Sequence, residues 1–200
     1  MAYQRTRYTI WLIVCLLSFI GFTGCTGAQV DLAFPLQSGN TWNYQGTVTY
    51  TLGKQEQSMS PTFQLVVRQL GEKNSLYDVS LLEENEELAK LQLTSSPKGL
   101  INPFTGEIWL PKTIKLGSKW TVTLGQDKLQ FILRSQGSTT VPAGTFPTYF
   151  IDFREARKGR GSLWLDPEVG IILFNWTSRT PGGHSTTHLE LSSYSSPGNN

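Results

Sequence analysis

From Trp42 to Leu191 one pattern recurs: apolar and polar residues alternate with a period of two, and turn residues interrupt each run before a helical period can build. Trp120, Val122 and Leu124 alternate with Thr121, Thr123 and Gly125; Ala89, Leu91 and Leu93 alternate with Lys90, Gln92 and Thr94. Alternate side chains of a strand point to opposite faces, so these runs predict half-buried strands. Further strands are predicted over 42–52, 63–70, 76–82, 129–134, 148–153, 161–165, 171–177 and 186–191. Leu70-Gly71-Glu72-Lys73-Asn74 and Asp166-Pro167-Glu168-Val169-Gly170 supply turns between them. Glu83 to Leu93 contains good helix formers but is read as a strand. The expected fold is mainly β: a single antiparallel sheet curled into a sandwich, open barrel or half-barrel, with little helix.

The first 24 residues follow a different rule. Arg5 and Arg7 precede a run that is almost wholly apolar from Thr9 to Phe22 and is followed at once by small residues. That is the order of a secretory signal, and the run is shorter than the roughly 20 residues a membrane-crossing helix needs. Phe22-Thr23-Gly24-Cys25 resembles the lipobox of bacterial lipoprotein signals, with Phe22 in place of the usual aliphatic residue. The resemblance implies a diacylglycerol thioether on Cys25, cleavage after Gly24 and acylation of the new amino group. The organisation expected is a signal peptide over 1–24, a lipidated tether over 25–33, an all-β domain over 34–194 and a disordered tail over 195–200. Cys15 would leave with the leader, so Cys25 would be the lone thiol of an exported chain, and lipidation removes that liability. Thr26 rather than Asp follows Cys25, which by the sorting pattern of such lipoproteins favours the outer membrane, facing the periplasm, in an organism with two membranes.

Charge narrows the partners. Removing Arg5 and Arg7 leaves 15 basic against 15 acidic residues, so the mature chain is close to neutral and nucleic acid is not an expected partner. Arg154, Arg157, Lys158 and Arg160 make the densest basic group and read as a solvated hairpin tip, with a phosphate or lipid-headgroup site as the other reading.

Three turn segments carry a further resemblance: Phe34-Pro35-Leu36 with Gly39-x-x-Trp42, Val141-Pro142-Ala143-Gly144-Thr145-Phe146, and Trp164-x-x-Pro167-x-x-Gly170. Together they resemble exported bacterial proteins of uncharacterised function, and the strand pattern with a lipid anchor resembles the curved sheet of the LolA and LolB lipoprotein carriers. Physically, each segment reads as a fold determinant. Pro142 fixes its φ, Gly144 permits a positive one, and Phe146 and Tyr149 are thereby returned to the sheet; Asp166-Pro167 opens a turn that Gly170 closes. Gly39-x-x-Trp42 is echoed by Gly117-x-x-Trp120, either as two similar half-domains or because glycine before a strand is common.

No nucleophile elbow, phosphate-binding glycine loop or paired redox cysteine occurs, so no enzyme activity and no cofactor is expected. His184 and His188 would lie about 13 Å apart on a strand, too far for one metal ion. Glu83, Glu84, Glu86 and Glu87 lack the pattern of a calcium loop and read as a solvated turn. Some strands are apolar on both faces, Ile171 to Trp176 among them, which means either cover on both sides or one face lining a cavity. Trp42, Trp109, Trp120, Trp164 and Trp176 are the candidate lining residues for a lipid or other apolar ligand. The function expected is that of a lipid-anchored envelope protein, held to the membrane through Cys25, that binds a hydrophobic ligand or an envelope component. The alternative is an assembly subunit with a filled core and a protein partner.

Overall fold

The computed structural model describes residues 29–71, 75–124, 126–155 and 158–197. The leader, Cys25 and the Glu72-Lys73-Asn74 part of one expected turn lie outside the described residues. The described residues are all-β: β1 (Gln29–Asp31), β2 (Thr41–Leu52), β3 (Gln55–Met59), β4 (Thr62–Gln69), β5 (Leu76–Glu83), β6 (Glu86–Ser96), β7 (Gly99–Ile101), β8 (Ile108–Pro111), β9 (Thr113–Lys115), β10 (Lys119–Leu124), β11 (Asp127–Val141), β12 (Gly144–Glu155), β13 (Gly159–Asp166), β14 (Gly170–Thr180) and β15 (Gly183–Ser195).

Every pairing is antiparallel. The main sheet runs β10-β11-β12-β13-β14-β15-β2-β4-β5-β6-β7-β8, with β3 paired on β2, and β1 and β9 form a second small sheet. The main sheet curls into a nearly closed barrel whose two ends, β8 and β10, meet through side chains instead of a strand ladder. The Trp120 indole N–H donates to the Trp109 carbonyl at 3.0 Å, and the Glu107 carboxylate accepts from the Thr123 N–H and hydroxyl. These contacts bring the two edge strands together and partly cover the edges that an open sheet would present.

The inner face of the sheet carries two apolar clusters. One gathers Trp42, Tyr44, Val67, Val79, Leu93, Leu100, Val141, Ile172 and Leu191; the other gathers Val30, Leu32, Ile114, Leu133, Ile151 and Leu165. Val30 and Leu32 belong to the stretch assigned from sequence to the tether. Here Gln29–Asp31 pairs with β9, and Leu32 is buried against β11 to β13, because its alternation, too short to detect, matches the inner face. At the other end Ser195 closes β15, and Pro197 packs over Gly39, where a Cβ would come within 2.7 Å of the proline ring.

The three turn segments converge on Trp42, which is fully buried. Its ring packs on Phe34 at 5.1 Å and Tyr194 at 5.5 Å, and its indole N–H donates to the Val169 carbonyl. Gly170, at φ +108°, leaves the space that this ring and Phe34 fill. The Asp166 carboxylate accepts from the N–H groups of Glu168 and Val169 at 2.7 and 2.9 Å, which builds the turn that carries that carbonyl. The Ala143 N–H donates to Leu191, so the Val141–Gly144 turn is tied to the same cluster, and Phe146 packs on it. Tyr44 donates its hydroxyl to the Ile171 carbonyl at 2.9 Å, and burial pushes its ionisation far above the ordinary tyrosine value.

The stretch Glu83 to Leu93 is a hairpin. Glu84 and Asn85 adopt φ of 50° and 69°, the left-handed pair that a two-residue turn requires, and strand β6 follows.

Candidate functional site

The register of β10 to β15 sorts the side chains into rows that cross the strands. On the inner face Trp120 pairs with Phe131, Phe131 with Phe153, Phe153 with Gly161, and Gly161 with Trp176. These rings stack: Trp120 on Phe131 at 5.2 Å, Phe131 on Phe153 at 5.3 Å, and Phe153 on Trp176 at 5.3 Å with only 3° between planes. Gly161 makes the last contact available, since a Cβ there would lie 2.5 Å from the Phe153 ring. The stack gives the meander a stiff back.

The outer row directly behind it is polar: Thr121, Gln130, Arg154, Arg160, Thr177 and Thr186 follow one another across six strands. Adjacent strands are about 4.8 Å apart, so this row is roughly 24 Å long. A groove of about 870 Å³ lies over it, lined by Thr121, Lys128, Gln130, Arg154, Glu155, Gly159, Arg160, Thr177, Arg179 and His184. A neighbouring groove of about 660 Å³ shares Gln130, Arg154, Arg160 and Thr177 and adds Lys119, Arg134, Asp152, Ser162, Asn175 and Trp176, among others.

Six of the thirteen basic residues among those described thus line one face, against two of the fourteen described acids. Both acids are engaged: Asp152 with Arg134 at 2.7 Å, and Glu155 with Lys158 at 3.4 Å. Lys158 also pairs with Asp127, and these carboxylates hold its ammonium above the ordinary lysine value, Asp127 most strongly. Lys119, Lys128, Arg160 and Arg179 form no ion pair among the described residues. Arg154 and Arg160 stand directly opposite each other across β12 and β13, a like-charge pair that costs stability. Gln130 draws the Arg154 guanidinium toward β11 through bonds of 3.1 and 2.8 Å. The opposite balance sits at the β5–β6 hairpin, where Glu83, Glu84, Glu86 and Glu87 gather; Ser80, then Lys90, lower the ionisation of the exposed Glu87.

The five candidate tryptophans do not share one surface. Trp42 is in the core, Trp109 and Trp120 meet at the closing seam, and Trp176 lies in the inner stack. Trp164 occupies the outer face, packed on Phe150 at 4.8 Å. His184 and His188 are both on β15; His184 lines the larger groove, while His188 sits between Asn175 at 2.6 Å and Glu190 at 3.2 Å. No group of three or more metal-ligating side chains occurs among the described residues. Of the basic group read from the sequence, Arg154 and Arg160 line the grooves, Lys158 is paired with Asp127 and Glu155, and Arg157 lies outside the described residues; Lys119, Lys128, Arg134 and Arg179, and His184, which the sequence raised only as a metal ligand, join them through strand pairing. Residue spacing alone carried no signal for that set.

No protein-family model matches this chain, and no curated protein matches it. Solved structures do. An exported protein of Bacteroides fragilis, described as having a YmcC-like fold, aligns over 84% of this chain and 100% of its own at 14% identity and a TM-score of 0.45. A protein of Parabacteroides distasonis described as a lipoprotein aligns over 82% of this chain and 99% of its own at 15% identity and a TM-score of 0.41. A DUF1329 family protein of Desulfovibrio piger aligns over 82% and 88% at 9% identity and a TM-score of 0.29.

Proposed function

We propose that this chain is a lipid-anchored, non-enzymatic cell-envelope protein that binds an anionic envelope component in the groove on the outer face of β10 to β15. The observation that carries the reading is the cross-strand pair Arg154 and Arg160, opposite each other in register, neither of which forms an ion pair among the described residues. A fold has no use for that arrangement, because like charges directly opposite destabilise a sheet, whereas a bound anion turns the repulsion into attraction. The anchor through Cys25 and the outer-membrane address rest on the lipobox and on Thr26.

The reading is tested with Arg160→Gln. Stability in urea should stay level or rise by about 0.2–1 kcal/mol, as relief of a like-charge pair requires. Retention on a dextran sulfate column at low salt should fall sharply. Loss of stability with retention unchanged would sink it.

A second reading is favoured by one observation. Trp120, Phe131, Phe174 and Trp176 stay half-buried on the inner face, so an apolar ligand could lie against the ring stack. Organic extraction of the purified chain with mass spectrometry of the extract tests this; a stoichiometric lipid supports it and an empty extract removes it.

A further inference from the structure

We propose that the anionic component is an acidic polysaccharide, bound as an extended chain that crosses β10 to β15 along the outer row. The proposal rests on the reading of the groove as an anion site and goes beyond it in naming the ligand class. Three observations select that class.

The first is length. The two grooves overlap at the centre of the row, and their six basic side chains come from five neighbouring strands, β10 to β14, so the cations are spread over roughly 19 Å across the sheet instead of converging on one point. A single phosphate or carboxylate would satisfy one or two of them and leave the others unmatched. A polymer with repeated charges meets them together, and each further contact gains from those already made.

The second is the neutral groups between the charges. Thr121, Gln130 and Thr177 flank the two arginines in the row, and Ser162 and Asn175 stand in the next row toward Lys119. Hydroxyls and amides both donate and accept, which suits a ligand carrying hydroxyls between its acids. A chain of phosphates alone offers acceptors only.

The third is where the aromatic rings are. Single-stranded nucleic acid is held by cations together with rings on which bases stack. The larger groove has no Phe, Tyr or Trp in its lining, and the two rings that line the smaller one, Phe153 and Trp176, are already stacked on each other at 5.3 Å. The groove is also recessed, whereas a bilayer surface would be met by protruding side chains.

The test measures binding of the whole mature chain, in detergent, to oligouronates of increasing length by titration calorimetry, with polyphosphate, oligothymidylate and phosphatidylglycerol vesicles as comparison probes. Affinity should rise at least about tenfold from the monosaccharide to an oligomer that spans the row, then level off, and should fall steeply with added salt. Thr177→Val should weaken oligouronate binding several-fold and leave polyphosphate binding unchanged, since it removes a hydroxyl and no charge. Equal affinity for monomer and oligomer would overturn the extended chain. Preference for polyphosphate, oligothymidylate or vesicles that Arg160→Gln abolishes would overturn the polysaccharide and leave the anion site standing. Absence of binding to every anionic probe would overturn both.

Discussion

Glu107 holds Thr123 by two kinds of hydrogen bond: both carboxylate oxygens lie 3.0 Å from the Thr123 N–H, and one accepts the Thr123 hydroxyl at 2.8 Å. Glu107 immediately precedes β8 and Thr123 is on β10, so this contact joins the two ends of the sheet. Bonds to a charged acceptor contribute more than neutral ones, and removing the acceptor leaves a half-buried N–H unpaired. Glu107→Ala should therefore lower stability by about 1.5–3 kcal/mol. Glu107→Gln, which keeps one oxygen, should cost less. Equilibrium urea unfolding of both variants checks the order, and an unchanged midpoint for the alanine variant would show that the seam holds without this pair.

Gly161 and Gly137 make a matched experiment. A Cβ at Gly161 would meet the Asn175 carbonyl at 2.4 Å and the Phe153 ring at 2.5 Å, while a Cβ at Gly137 meets nothing within 4 Å. Gly161→Ala should cost about 1–3 kcal/mol through overpacking and disturb the near-ultraviolet circular dichroism of Trp176. Gly137→Ala should be neutral or stabilise by about 0.5–1 kcal/mol, because alanine gives up less freedom on folding. A neutral Gly161→Ala would mean the ring stack does not depend on that opening.

How far these features could be read in advance depends on how local their signal is. Ten of the strands have a hydrophobic alternation of their own, and all ten runs expected from sequence fall on strands, from β2 at Trp42 to β15 at Leu191. β3, with Gln55, Glu56, Gln57 and Ser58, is exposed throughout and has no inner face to leave a pattern. β1, β7 and β9 span three residues each, too short for a period to show. The Gly-x-x-Trp echo is the informative intermediate case. The Gly39 N–H donates to Val67 while the Val67 N–H donates to Asn40, and Gly117, Leu133 and Ser118 repeat that exchange. Two copies of one turn therefore start β2 and β10, each locked by a fully buried residue on the following part of the sheet. The glycine and tryptophan were visible; Val67 and Leu133, 28 and 16 residues further on, were not. The basic row is less local still, since five elements each contribute one or two side chains.

Tyr44 makes stability depend on alkaline pH. Burial raises its folded-state ionisation well above the ordinary value near 10, so the folded chain keeps a proton that the unfolded chain loses. The contribution is complete below about pH 10 and declines by about 1.4 kcal/mol per pH unit above it, until the folded-state value is reached. Unfolding midpoints measured from pH 8 to 11.5 should fall faster for the native chain than for Tyr44→Phe. Parallel curves would show that Tyr44 ionises in the folded state like an exposed phenol.

Phe104 is 78% exposed at the tip of the turn between β7 and β8, and the turn does not need it. Asn102 accepts the N–H groups of Phe104 and Thr105 on its side chain and that of Gly106 on its carbonyl; Thr105 accepts Glu107, and the Asn102 N–H donates to Glu107. Five bonds thus shape the loop from backbone and polar groups, and Glu107 fixes it to β10. A rigid turn that holds an aromatic ring in water suits an anchor for a protein partner, the role an assembly subunit would require. Phe104→Ser should change stability by less than about 0.5 kcal/mol, as surface substitutions do. A photo-crosslinker placed at Pro103, which none of these bonds uses, should lose any protein adduct it forms in cells when Phe104 is replaced. A drop in stability well beyond that range would instead assign the ring to the fold, and the adduct surviving unchanged would remove Phe104 from the contact.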